Sequence, residues 1–521
     1  MVGHVVSPED DIELSGEDAP FLLEDLRSQP TAGDVPPDDS SSDTVLPEKS
    51  RRRLVITLVA IMLTFAIGGQ MIPGPMVRII EAIACDDYWR AHDPSRLQAS
   101  GHVVEQLCKI KEVQEEVTTI KGYMDFFEGL LSVLCAIPYG LLADRYGRRR
   151  AIRLTIPGFL LNAIITNSVL WFSDIFPLRA IWLGSLSWTI GGGPAIAMAL
   201  IWTMLADPTT DSNLAILFFR VGVIMDITSF LAGALSAQLM TLNPWIPMMV
   251  GSGIVTIGLS CTFFLPETMN DCVKRKSPIN GNEPVSCMGG LIVDEESSYS
   301  SPKGLPKPSR HRLILGKIRR FLNHDICIFD HRILLLLLTF AVSQLAGGSS
   351  EFLAQYISTR FSWTLARANL LKSFHTAATI PVFLFLLPYL STHVLHYLSL
   401  HRRDLYLARM SIICLAVGSL GVGLAPHIIV LVPSLCLHAA GGGFALVARS
   451  LATALVERDK TARLYSTIEI LQSVGSVLGS LCFTNVFTLG LKMRGAWIGL
   501  MWIMSSLLFA LVGIALMILQ V

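Results

Sequence analysis

A chain of 521 residues that is 52% apolar and only 16% charged, with a mean hydropathy of +0.54, has too little polar surface to fold as a soluble protein of that size. Its formal net charge is zero, which removes any bulk electrostatic case for nucleic acid or another polyanion as partner. The composition points to an all-α chain whose main partner is a lipid bilayer.

Residues 1–53 begin rich in Asp, Glu, Ser and Pro and are predicted to be a disordered tail. Within it, Asp18 to Leu23 resembles an acidic dileucine sorting signal, although plain tail composition explains it as well. No cleavable signal peptide is visible, so the first apolar run is expected to act as an uncleaved anchor. Apolar runs follow at 54–76, 123–143, 151–172, 178–204, 214–238 and 245–266. Each is near the ~20 residues that cross ~30 Å of hydrocarbon. A polar linker over 267–331 separates them from a second set at 332–356, 368–391, 405–424, 427–455, 464–489 and 495–519. The predicted organisation is a six-helix bundle over 54–266, the linker, and a second bundle over 332–521.

Orientation follows from Lys and Arg. Arg51 to Arg53, the cluster Arg145, Arg148, Arg149, Arg150 and Arg153, the linker's basic residues, and Arg458, Lys460 and Arg463 all fall on one side if the helices alternate. That side is predicted to be cytoplasmic and to hold both termini. The plasma membrane is the expected location and the vacuolar membrane the alternative. The segment 85–121, with mixed charges, is expected to be a long outer loop. Cys85 and Cys108 flank its polar part, where a disulfide can persist or the thiols stay free. Cys135, Cys261, Cys414, Cys436 and Cys482 lie in apolar stretches as small buried hydrophobes.

The two halves resemble each other. Leu63-Thr64-Phe65-Ala66 recurs as Leu338-Thr339-Phe340-Ala341, Pro138-Tyr139 as Pro388-Tyr389, and Gly191-Gly192-Gly193 as Gly441-Gly442-Gly443, in the same order. The glycine triplets suit close helix approach and bending better than ligand contact.

The strongest local signal is Gly140-Leu141-Leu142-Ala143-Asp144-Arg145-Tyr146-Gly147-Arg148-Arg149-Arg150, between the second and third runs. Positive-inside bias accounts for the arginines but not for two glycines and an aspartate at this spacing. Gly140 suits close helix packing, Gly147 a tight turn, and Asp144 the positive N-terminal end of another helix. The segment resembles the signature G-x-L-A-D-R-x-G-R-R of the major facilitator superfamily. That resemblance implies twelve transmembrane helices in two pseudo-repeats and alternating access. It also implies a cytoplasmic latch in which Asp144, with Arg145, Arg148 and Arg149 nearby, meets the helix starting at Leu464-Tyr465-Ser466-Thr467. The equivalent loop of the second half, His401-Arg402-Arg403-Asp404, is degenerate. A narrower resemblance runs through Cys85-Asp86-Asp87-Tyr88-Trp89-Arg90, Glu105 to Lys109 and Ile137 to Gly140. It is to fungal transporters akin to the proton-coupled folate and haem-carrier branch, which often accompany secondary-metabolite pathways. It implies an outer first loop held by a disulfide between Cys85 and Cys108. The antiporter signature expected in the fifth helix is absent, where Gly222 to Ser229 contains no proline.

A charge at the bilayer centre costs about 2.5–3.5 kcal/mol on insertion scales, so each one calls for a role. Asp226 lies mid-helix and is a candidate for proton coupling or for a structural ion pair; Arg220 is placed to snorkel. Asp125 and Glu128 share a face and are expected near the outer end, where water solvates them. Lys372 and His375 share a face of the eighth helix, and His375 is either a titrating group or a packing residue. Glu351 follows Gly347-Gly348, where the seventh helix is expected to loosen. Arg449 and Glu469 lie towards the cytoplasmic end, and Glu469 joins Asp226, Glu351 and His375 as a proton-coupling candidate. By the resemblance, helices one, four, seven and ten line the cavity, which makes Gln70, Gln344 and Arg449 candidate solute contacts.

No metal-ligand cluster, nucleotide loop or nucleophile elbow is present in the sequence, so no enzyme and no cofactor is expected. The expected function is secondary transport of a small organic solute, as proton-coupled efflux of a secondary metabolite or toxic compound. Import of a folate- or haem-like solute, or a sensor that binds without transport, are the alternatives.

Overall fold

The computed structural model describes residues 48–97, 103–206, 211–265, 331–395, 397–456, 461–493 and 495–519. Most of the predicted tail, nearly all of the 267–331 linker, and Arg458 and Lys460 lie outside the described residues. The first half comprises α1 (Glu48–Met71), α2 (Pro73–His92), α3 (Lys111–Tyr146), α4 (Arg148–Trp171), α5 (Gly193–Ala206), α6 (Asp211–Leu242) and α7 (Trp245–Cys261). The second comprises α8 (His331–Gly347), α9 (Leu353–Phe361), α10 (Leu365–Pro381), α11 (Leu400–Leu424), α12 (Ile428–Ala440), α13 (Phe444–Ala454), α14 (Thr461–Met493) and α15 (Leu500–Ile518). Short 3-10 and π turns link several of these, and no strand occurs among the described residues.

Eleven segments among the described residues are long and apolar enough to cross a bilayer. The 36-residue α3 is not among the eleven, yet it has the length, ~54 Å at ~1.5 Å per residue. It runs from an end marked by Cys108 to an end marked by the arginine cluster. These are called the disulfide end and the arginine end below.

The expected outer loop is shorter than 85–121. Pro73, lacking an N–H, breaks the first helix at Ile72, but α2 then continues to His92, and α3 starts at Lys111. The charges that suggested a loop are spent on one another: Lys109 Nζ lies 2.7 Å from Glu81 Oε1 and 3.1 Å from Glu105 Oε1. The tail is also shorter than predicted, because α1 begins at Glu48 and takes Arg51 to Arg53 into its first turns.

Each half packs around two apolar clusters, one per end. At the arginine end these centre on Leu58, Ile61 and Ile201 in the first half and on Phe340, Ala408 and Leu464 in the second. At the disulfide end the second-half cluster includes Phe352, Tyr356 and Trp502. The first-half cluster there also takes in Leu365 and Ala366 from α10, so the halves share a core at that end. Across the interface α3 packs on α14 and α6 on α10.

The glycine triplets mark equivalent breaks. The fourth crossing bends between Gly191 and Gly193, where Gly192 has φ +76°, and the tenth turns through a 3-10 segment, Gly441–Gly443. A Cβ added at Gly191 would lie 2.7 Å from the Thr155 carbonyl oxygen, and one at Gly441 2.5 Å from that of Ser411. Both triplets therefore serve backbone-to-backbone approach, at corresponding places in the two halves.

Candidate functional site

The wall that the first half presents to the second is built on α3. Gln114, Thr118, Lys121, Asp125 and Glu128 recur at intervals of four, three, four and three residues, which sets them in one stripe along a helix. At the disulfide end the stripe closes on α9: Gln355 Nε2 donates to Thr118 Oγ1 at 2.9 Å and to Gln114 Oε1 at 3.2 Å, and Thr359 Oγ1 donates to Gln114 Oε1 at 3.1 Å. Gln114, Thr118 and Gln355 are buried.

Further along, the stripe becomes ionic. Lys121 pairs with Asp125 and places its ammonium 4.8 Å from the centre of the Phe352 ring in the opposite half. Asp125 thus lies in the middle third of α3, not at a solvated outer end, because the helix starts a dozen residues before the predicted run. Facing it, Glu351 sits in the 3-10 turn Gly348–Phe352, where the seventh crossing loosens after Gly347. Its Oε2 is 4.0 Å from Lys372 Nζ on α10, and two-thirds of its side-chain surface stays accessible, so it faces open space between the halves. One turn beyond Lys372, His375 Nε2 meets His438 Nδ1 of α12 at 3.1 Å. Lys121, Asp125, Glu351 and Lys372 therefore form a group of opposed charges held by both halves. Among the described residues, no three His, Cys, Asp or Glu converge as a metal-ligand set.

The profile of the Major Facilitator Superfamily matches residues 117–480, well over half of the chain. The chain belongs to the Major Facilitator Superfamily. Among its relatives, the MFS-type transporter aprT of Aspergillus flavus is 41% identical over 521 residues, covering 100% of this chain and 96% of the relative. The MFS efflux pump atnC of Emericella nidulans is 28% identical over 502 residues, covering 95% and 91%. Among solved structures, the xylose transporter XylE from E. coli matches with a TM-score of 0.56 at 12% identity, covering 89% of this chain and 97% of that one. That last likeness concerns the fold alone.

The remaining site residues of this facilitator are distributed as follows. Gly140 lies in the last turns of α3, and Gly147 joins α3 to α4 with φ +98°, a conformation that favours glycine. Arg148 donates from Nη1 to the Thr203 carbonyl at 3.0 Å, a contact inside the first half, and Arg149 is half-buried, its Nε without a partner among the described residues. Asp144 and Arg145 fall in the last turn of α3, and their side chains lie outside the described residues. Asp226 is half-buried on α6 and makes no hydrogen bond or ion pair among the described residues. Phe230 and Gly233 follow it on the face that packs against Phe374 and Ser373 of α10. Arg449 Nη2 lies 2.7 Å from Glu469 and 2.6 Å from Gln472, a bridge between α13 and α14 within the second half. Gln70 is half-buried beside the break after α1, and Gln344 is exposed on α8. Cys85 and Cys108 are joined in a disulfide.

Sequence reasoning passed over Lys121, His438, Gln114 and Gln355. Lys121 had a signal, standing four residues before Asp125. His438 had none, since its partner lies on another helix.

Proposed function

We propose that this chain exports a small organic solute by alternating access, drawing on a proton gradient, with the solute held between the α3 stripe and the Glu351–Lys372 pair. The observation that carries the proposal is the set of opposed charges from both halves, Lys121 and Asp125 on one side and Glu351 and Lys372 on the other. A group whose members belong to two bundles changes its electrostatics when the bundles rock apart, which ties site affinity to conformation. Export is favoured by the full-length likeness to atnC, which is named an efflux pump. On this reading the arginine end and both termini are cytoplasmic, which the concentration of arginines at that end supports by the positive-inside rule, and the membrane is the plasma membrane.

On this reading Asp144 latches the arginine end against the start of α14, with Arg145, Arg148 and Arg149 around it. Glu351 is the first proposal for the proton site because it faces open space beside a cation, with Asp226, His375 and Glu469 behind it. Gln70, Gln344 and Arg449 are the further cavity contacts. Import of a folate- or haem-like solute is the second reading, supported by the resemblance around Cys85 to Arg90.

The test is flux of candidate solutes in inside-out vesicles carrying an imposed pH gradient. Uptake that collapses with the gradient supports proton-driven export. Uptake indifferent to the gradient removes proton coupling, and net accumulation by intact cells reverses the direction. Asp144→Asn is expected to abolish flux while surface expression stays at the parent level.

A further inference from the structure

Four charged side chains at the disulfide end close into a ring. Arg78 Nη1 lies 3.5 Å from Glu81 Oε2, Glu81 Oε1 2.7 Å from Lys109 Nζ, Lys109 Nζ 3.1 Å from Glu105 Oε1, and Glu105 Oε2 3.3 Å from Arg78 Nε. All four belong to the first half, and their charges sum to zero. The segment carrying Glu105 and Lys109 is tied to α2 three ways. These are the Cys85–Cys108 disulfide, the Val103 N–H donating to Asp86 at 2.9 Å, and Trp89 Nε1 donating to the Leu107 carbonyl at 3.3 Å.

One member of the ring reaches across. Glu105 Oε1 accepts from the backbone N–H of Leu365 at 2.7 Å, and Leu365 is the first residue of α10 in the other half. The first N–H groups of a helix have no partner within it and carry the positive end of its dipole. A carboxylate there makes a charge-assisted bond, stronger than a neutral one. The ring determines where this carboxylate points, and it stays charge-balanced when the halves part. Separation therefore strands no buried ion, which is the usual penalty for breaking a buried pair. Strength when closed and low cost when broken suit a gate.

We propose that Glu105 is the positioning residue of the gate at the disulfide end, seated on the first N–H of α10 and holding that end shut through part of the transport cycle. The proposal rests on the alternating-access reading above. Its geometry needs no knowledge of the solute.

The experiment is a distance measurement between spin labels on Ile175→Cys and Ile429→Cys. These positions are 72% and 85% exposed at the disulfide end of the two halves. The full-length protein in lipid nanodiscs is used, with the parent lacking both substitutions as background. Glu105→Ala is expected to raise the ratio of separated to closed populations about tenfold or more, the range for losing a hydrogen bond to a charged group. Leu365→Pro removes the same donor from a position where proline fits the helix start, and is expected to do likewise. Leu365→Ala keeps the N–H but removes the same side chain from the core that the halves share, so it measures that loss alone, and Leu365→Pro is expected to exceed it. Glu105→Gln keeps an acceptor and shifts the ratio less than Glu105→Ala. The double variant Glu105→Ala/Leu365→Pro goes no further than Leu365→Pro alone, since both changes remove the same bond. A parent-like distribution in Glu105→Ala, or equal effects of Leu365→Ala and Leu365→Pro, overturns the gate. Should Glu105→Ala not fold, the two Leu365 variants decide the question. The readout needs no flux, so a failed gate and a failed export reading give different results.

Discussion

His375 Nε2 on α10 and His438 Nδ1 on α12 stand 3.1 Å apart, so one ring donates and the other accepts. His438 is buried beside Trp502 and Phe509, and its remaining ring nitrogen, Nε2, has no hydrogen-bond partner among the described residues. His375→Ala leaves that buried imidazole with no partner at either nitrogen. The expected cost is about 1–3 kcal/mol, read as a lower unfolding temperature in detergent, with His375→Gln recovering part of it. Gradient-driven flux that disappears in His375→Ala while the unfolding temperature stays at the parent value would instead make His375 a coupling residue.

The glycine triplets predict paired failures. At Gly191 and Gly441 a methyl group meets backbone carbonyl oxygens of Thr155 and Ser411, which cannot rotate away. Alanine gains about 1 kcal/mol in helix propensity. The overpacking it introduces costs about 1–3 kcal/mol and should win. Gly191→Ala and Gly441→Ala are each expected to lower the unfolding temperature, whereas Gly442→Ala, with its nearest neighbour 3.6 Å away, does not lower it. Thermal unfolding of the three purified variants checks this.

Eleven crossings were readable among the described residues because each is a run of apolar residues near bilayer length, and the arginines between the runs are locally concentrated. The Gly147 turn was readable because the backbone there favours one residue type. The segment after Cys85 was not, since ion pairs among Arg78, Glu81, Glu105 and Lys109 give a folded element the composition of a loop. Asp125 and Glu128 were legible as a pair, but the stripe runs back through Lys121, Thr118 and Gln114, and three- and four-residue spacing continued towards the N-terminus was the available signal. Contacts such as His375 with His438, or Gln355 with Gln114, depend on which helices lie side by side, which a single sequence does not state.

The disulfide between Cys85 and Cys108 closes a loop with a sequence separation of 23. Loop-closure entropy for that length gives about 3 kcal/mol. Reductant, or Cys85→Ser with Cys108→Ser, is expected to lower the unfolding temperature in detergent. The same treatment should loosen the ring, because Glu105 and Lys109 lie on the tethered segment. An unfolding curve unmoved by reductant would mean that the Asp86 and Trp89 ties alone hold it.

Proton coupling is tested by separating exchange from net transport. A carrier whose coupling carboxylate is permanently neutral can still swap solute across the membrane, yet it cannot harvest the gradient. Glu351 lies between the halves with Lys372 4.0 Å away and Lys121 and Asp125 within electrostatic reach. Asp226, on α6, makes no ion pair among the described residues. Glu351→Gln is therefore expected to cut gradient-driven flux at least tenfold, about 1.4 kcal/mol of lost driving interaction, while solute counterflow stays within about twofold of the parent. Asp226→Asn is expected to leave both within about twofold. The reverse pattern, gradient response lost in Asp226→Asn and kept in Glu351→Gln, would move the proton to α6 and leave Glu351 as a solute contact.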